Sequence, residues 1–221
     1  MTKTEIEGHL LSIIESHLLQ NRLELINRNY PNQKQEFHIR NAILEIFNEC
    51  NAPVNPHMKA VAESRINGKK IDLCITNRHK PENPFKIEFK FQFSRDFNSF
   101  KKYRSIIESD YEHRQSDAFI LIVAHWDKKL KAEFDNKWNI TPNLNQYICH
   151  LDPEEANWYK NIKQHLESFQ PSKLKVRKWQ VKEPYPVYYS FYLLIRKNAE
   201  DLEEISLDQL YGVLEENCEE N

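Results

Sequence analysis

The apolar positions of this chain change period several times. Over residues 4–27, Ile6, Leu10, Ile13, Ile14, Leu18 and Leu25 recur at the three-and-four spacing of one helix face, which predicts a single N-terminal helix. The Asn- and Pro-containing stretch NRNYPNQ breaks it. Helical spacing returns over 34–50, with Ile39, Ile43, Ile46 and Phe47 predicted to face inward. After the loop CNAPVNPH the period falls to two. KAVAESRI and KKIDLCIT alternate on either side of Asn67-Gly68, and FKIEFKFQF alternates over 85–93 after the turn NRHKPENP, so three strands are expected. Residues 98–114 read as a helix, and DAFILIVAHW as a strand buried on both faces. Beyond 127 follow a polar helix, a short strand NQYICHL, a helix near 153–168 and two strands, VRKWQVK and YPVYYSFYLLI. Helix, three strands opening with a hairpin, helix and buried strand together predict an α/β fold with a mixed sheet.

The hairpin sets a register. Asn-Gly favours a two-residue turn in which both residues take positive φ. Facing residues then have numbers that add to 135, so Glu63 faces Asp72 and Arg65 faces Lys70. Ile71, Leu73 and Ile75 form the apolar parity of their strand, and Asp72 lies on the other. If strand 85–93 lies beside it, Glu88 and Lys90 share the Asp72 face.

Composition narrows the class. Three glycines, at 8, 68 and 212, are too few for a phosphate-cradling loop, and there is no GxSxG or HExxH motif. The nine histidines fall at unrelated spacings, and Cys50, Cys74, Cys149 and Cys218 show no metal or disulfide spacing. The start, MTKTEIEGHL, lacks an apolar signal core, and no run approaches the ~20 residues of a membrane span, so a cytoplasmic protein with free thiols is expected.

Net charge is −2, but it is unevenly spread. Nine of the 33 acidic residues fall within 200–221, which holds no Lys or Arg and is expected to form an acidic amphipathic helix around Ile205, Leu207, Leu210 and Leu214. The rest carries all 31 Lys and Arg against 24 acids, a net +7. Basic residues interleave with aromatics in RDFNSFKKYR (Lys101, Lys102, Arg104) and KLKVRKWQVK (Lys175, Arg177, Lys178). That pattern suits phosphate contacts and base stacking, and equally a solvated lysine-rich face.

Asp72, Glu88 and Lys90 on one sheet face are parts for phosphodiester hydrolysis. Carboxylates on neighbouring strands suit a hard divalent ion, and a lysine beside them can orient or deprotonate a water and offset phosphate charge. Asp72 in GKKIDLCI, followed 16 residues later by Glu88 and Lys90 in IEFK, resembles the PD-(D/E)XK nuclease superfamily. The similarity covers residues 34–126. It implies a restriction-endonuclease-like αβββαβ core, with a mixed central sheet flanked by helices. It further implies that Asp72 and Glu88 hold Mg²⁺, with Mn²⁺ able to substitute, and that Lys90 acts on the water. Ile71 stands where the motif's naming proline would be, a position that varies within the superfamily.

That superfamily often adds a carboxylate from the first core helix. At about 100° per residue, Glu36 falls within ~60° of Ile39 on the inward face and Glu45 about 120° away. Glu36 is therefore the candidate metal ligand, with a helix-dipole role as its alternative. Arg40, one turn on, is a candidate phosphate contact. Glu63 and Gln92 are candidate auxiliary residues.

The expected organisation is an N-terminal helix over 1–33, the nuclease core over 34–126 and an extension over 127–221 for recognition or dimerisation. The expected function is metal-dependent cleavage of DNA, RNA being the alternative substrate, by a restriction or phage-defence nuclease acting as a homodimer and away from membranes. Two alternatives stand beside it: a non-catalytic nucleic-acid-binding or assembly subunit, and an interaction module using the acidic tail.

Overall fold

Ser16 decides how the chain begins. Its hydroxyl donates to Ile13 O at 2.7 Å and accepts from Leu19 N at 3.1 Å, closing one helix and capping the next. The predicted single helix is therefore two, α1 (Lys3–Ile14) and α2 (His17–Asn29). The break resets the helical phase. Leu19, Leu23 and Ile26 are buried, whereas Leu18 and Leu25, predicted inward, are 54% and 47% exposed. The N-terminus of α1 carries a capping box between Thr2 and Glu5.

The computed structural model describes residues 2–51, 53–98, 105, 107–141, 143–150, 156–169 and 172–197. Lys101, Lys102, Arg104 and the acidic tail helix lie outside the described residues, as do residues 99–104 and 106 of the helix expected at 98–114.

Helix α3 (Glu36–Asn51) buries Ile39, Ile43, Ile46 and Phe47 as expected. Strands β1 (Met58–Ile66) and β2 (Lys69–Asn77) pair from Met58↔Asn77 to Ile66↔Lys69 in the register the turn sets. Asn67 and Gly68 adopt φ of 50° and 76°, the left-handed conformation that favours glycine. One rung departs. The ladder steps from Ala62↔Leu73 to Ser64↔Ile71, and Glu63 sits at φ 56°.

Strands β3 (Phe85–Phe93), β4 (Ala118–Trp126), β5 (Ser172–Val181) and β6 (Val187–Arg196) complete a six-stranded mixed sheet of order β1-β2-β3-β4-β6-β5. Only β3 and β4 run parallel; the other neighbours are antiparallel. A parallel pair needs a crossover, which the 94–117 segment supplies. The open sheet has a core on each face. One, against α1–α3, takes Phe85, Ile87, Phe89, Phe91 and Phe93. The other, on α5 (Asn157–Glu167) with Ile107 and Tyr111, takes Phe119, Leu121 and Val123. β4 serves both and is buried throughout, as its unbroken apolar run predicts.

α4 (Lys128–Lys137) follows β4, capped by Asp127. The strand expected at NQYICHL is instead a 3₁₀ turn, Asn145–Tyr147. Both neighbours of β4 are already β3 and β6, so no sheet partner remains there. Its side chains pack locally: Tyr147 stacks on Phe93, and Trp126 Nε1 donates to Asn145 Oδ1 at 3.0 Å. Among the described residues no helix is long and apolar enough to cross a membrane.

Candidate active site

β2 and β3 hydrogen-bond over a short length only. They pair at Ile75↔Phe85, Cys74↔Lys86 and Leu73↔Ile87 and then fork, β3 continuing beside β4 as far as Phe93↔Ala124. Past the fork, the β3 N–H groups that face β2 have no strand to donate to, and buried N–H groups need acceptors. Carboxylates take all three. Phe89 N donates to Asp72 Oδ2 at 2.9 Å, Phe91 N to Glu36 Oε2 at 2.6 Å, and Phe93 N to Asp96 Oδ2 at 2.9 Å. The fork thus holds negative charge delivered by β2, by the first turn of α3 and by the turn after β3. Glu45, on the outward side of α3, is exposed and pairs with Arg22 at 3.7 Å.

The polar parity of β3 is not wet. Glu88 is only 1% exposed and Gln92 is buried, whereas Lys86 and Lys90 are half-buried. Glu88 Oε2 accepts from Arg114 Nη1 at 3.0 Å, but Oε1 is buried with no hydrogen-bond donor among the described residues. Burial first, and then the neighbouring Asp72 carboxylate, push the Glu88 pKa up to about 8, against the pull of Arg114. Glu36 is likewise raised by burial, with the Asp72 charge adding to it and the Phe91 N–H and Lys90 opposing. The Asp72 and Glu88 carboxyl groups are close enough to share a proton, and a cation between them would relieve the same repulsion. Cys74, one position past Leu73 on β2, is no rival nucleophile, since burial lifts its thiol to about 11.

The remaining expected residues are placed as follows. Lys90 Nζ lies 3.6 Å from Asp110 Oδ2. Glu63, turned by its positive φ, binds Arg40 at 3.3 Å and Lys70 at 3.0 Å instead of meeting Asp72. Arg40 is buried, with its guanidinium over the Phe37 ring at 4.9 Å. Lys175, Arg177 and Lys178 are exposed on β5, three strand spacings from β3, or about 14 Å. Arg177 lies over Trp179 at 4.5 Å and Lys178 over Tyr159 at 4.4 Å.

Three residues were not foreseen from sequence. Asp96 caps the last free N–H of the fork. Asp110 and Arg114 come from the crossover, where a π-helical turn (Glu108–Glu112) presents them four residues apart, with Arg114 Nη2 3.7 Å from Asp110 Oδ1. An acid four residues before a base is a legible helix pair, but nothing in the spacing ties it to Glu88.

Among the described residues, no three His, Cys, Asp or Glu side chains form a group that could hold a metal ion. The donor chemistry nevertheless suits a hard cation: two adjacent carboxylates, one with an unpartnered buried oxygen. Such a pair fits Mg²⁺, which keeps several waters and needs few protein ligands. Neither a family model, nor a curated protein, nor a solved structure matches the chain.

Proposed function

We propose that this protein is a metal-dependent nuclease that hydrolyses phosphodiester bonds in DNA, built on a restriction-endonuclease-like core of α3, β1–β3, the crossover and β4. The observation that carries this reading is the β2–β3 fork. There Asp72 and Glu88 stand side by side, with a buried Glu88 oxygen left unpartnered and Lys90 next on the same face.

Asp72 and Glu88 would hold Mg²⁺ or Mn²⁺, while Glu36, expected from sequence as a further ligand, is engaged by Phe91 N and forms no three-carboxylate metal group with them. Bound there, the ion would polarise the phosphoryl oxygens and lower the pKa of a coordinated water. Asp72 is positioned by Phe89 N and Glu36 by Phe91 N, so neither carboxylate swings freely. Lys90, a third exposed and weakly held by Asp110, is free to orient the attacking water and to offset charge gained by the phosphate. The +7 body favours a polyanionic substrate, and the basic edge strand β5 offers a second contact to its backbone. A homodimer that cuts both strands, in restriction or phage defence, extends the same reading.

The test is incubation of the purified chain with plasmid, linear and single-stranded DNA and with RNA, comparing Mg²⁺, Mn²⁺ and EDTA. Cleavage that needs metal and disappears in Lys90→Ala is the expected outcome. Absence of both cleavage and metal binding would sink the proposal. A second reading, a non-catalytic nucleic-acid-binding subunit, draws on the Arg114–Glu88 pair, which neutralises Glu88 without a metal. A calorimetric Mg²⁺ signal abolished by Asp72→Ala favours the enzyme.

A further inference from the structure

Arg114 has no part in a carboxylate–lysine site, yet its guanidinium lies directly on the buried carboxylate of that site. Nη1 is 3.0 Å from Glu88 Oε2 and donates to Lys70 O at 3.0 Å, while Nη2 is 3.7 Å from Asp110 Oδ1. Its backbone is anchored. Tyr111 is fully buried in the second core, and His113 N→Glu108 O at 2.9 Å and Ser116 N→Tyr111 O at 3.1 Å hold the wide turn around it. The guanidinium itself remains a third exposed, so it caps Glu88 from the solvent side.

The two oxygens of Glu88 therefore differ. Oε2 is satisfied by a cation of the protein, whereas Oε1 has no donor among the described residues, and the neighbouring Asp72 carboxylate can pair with the group only by sharing a proton. A divalent ion held by Asp72 and Glu88 and the Arg114 guanidinium would draw on the same buried negative charge. We propose that Arg114 is a built-in counter-ion that holds Glu88 in the metal-free protein and is displaced when a divalent cation binds. The proposal rests on the metal-dependent reading above. Metal binding and the Arg114–Glu88 ion pair then oppose each other, and the released guanidinium is left at the mouth of the site, where a phosphodiester would enter.

Removing Arg114 has two consequences of opposite sign. Where Glu88 is ionised, the metal-free fold loses stability, because a buried carboxylate is left uncompensated. Metal binds more tightly, because no ion pair has to break first. A residue that merely props Glu88 in position would give the first effect without the second.

The experiment is Mn²⁺ titration calorimetry on the full chain, comparing wild type, Arg114→Gln, Arg114→Lys, Asp72→Ala and, as a charge-matched control on α4, Lys129→Gln. Thermal unfolding is followed with and without metal. Arg114→Gln is expected to bind Mn²⁺ roughly three- to tenfold more tightly than wild type while melting lower without metal. Lys129→Gln should match wild type, and Arg114→Lys, which keeps charge but loses the two-pronged donor, should fall between. If Arg114→Gln does not fold, Arg114→Lys carries the comparison. A second readout is independent of variants: the Arg114 guanidinium ¹⁵N signals should shift on Mg²⁺ addition with the midpoint of binding. Unchanged or weaker binding in the Arg114 variants, with Asp72→Ala still abolishing binding, overturns the displacement and leaves the metal site standing. Absence of binding to wild type and every variant overturns both.

Discussion

Glu88 is where a single residue turns an ordinary strand into a candidate site. Its raised pKa has a thermodynamic consequence. Between the ordinary glutamate range and about pH 8, folded Glu88 keeps a proton that the unfolded chain has lost, so protons bind the native state in excess and stability falls as pH rises. The contribution is complete below about pH 4.5, the ordinary glutamate value, and is lost on passing about pH 8. Metal-free wild type should therefore melt progressively lower from about pH 5 to about pH 8. Glu88→Gln, which keeps the shape without the titration, should show a flatter profile and a higher melting temperature at the alkaline end. Matching slopes in differential scanning calorimetry would mean that Glu88 is already ionised in the fold. Lys90 belongs to the same scale with a different signature. It is part exposed and loosely paired, so Lys90→Ala should change stability by no more than about 0.5 kcal/mol while removing activity.

At the scale of elements, the break at Ser16 and the β2–β3 fork show how local chemistry moves whole segments. Ser16→Ala removes a bond from each of two helix ends and should cost about 1 kcal/mol in urea unfolding. The phase reset gives a sharper contrast. Leu19→Ala should cost about 2–5 kcal/mol, because Leu19 is fully buried, and Leu18→Ala next to it about 0.5 kcal/mol or less. Similar costs at the two positions would restore the continuous helix. In the sequence the apolar spacing runs on across Glu15 and Ser16 as if unbroken, so Ser16 among helix formers did not stand out. The fork was no more visible. Alternation in KKIDLCIT and FKIEFKFQF reveals two strands, but nothing in either says that they part after three pairs, leaving Phe89, Phe91 and Phe93 to donate to carboxylates instead of to β2.

For the whole molecule, charge and layering set what can approach the site. α1–α3 cover one face of the sheet, α5 and the crossover cover the other, and the basic residues of β5 line the edge opposite β1. If DNA spans from the fork to that edge, Lys175→Ala, Arg177→Ala and Lys178→Ala should each weaken DNA binding across all sequences. Each should also reduce the salt dependence of the affinity by roughly one unit of slope, without altering metal affinity. Fluorescence anisotropy over a range of salt concentrations measures this, and an unchanged slope in all three would remove β5 from the interface.

Whatever depends on near neighbours along the chain was legible from the residues alone. The Asn67-Gly68 turn and its register, the inward stripe of α3, the apolar run of β4 and the shared parity of Glu88 and Lys90 follow from helical and strand periods and from the conformational demands of a two-residue turn. Glu36 could be preferred over Glu45 because helix geometry is rigid enough to count in degrees. What brings distant segments together was decided by tertiary structure. Glu63 turned away from Asp72 because one residue took a positive φ and found Arg40 and Lys70. Arg114 and Asp110 reached the site from the crossover, more than twenty residues beyond Glu88. The burial of Glu88 and Gln92 required a second layer over the polar face of β3. Parity in a strand says only which side a residue faces, and whether that side is water, protein or a charged cleft depends on what the rest of the chain lays over it.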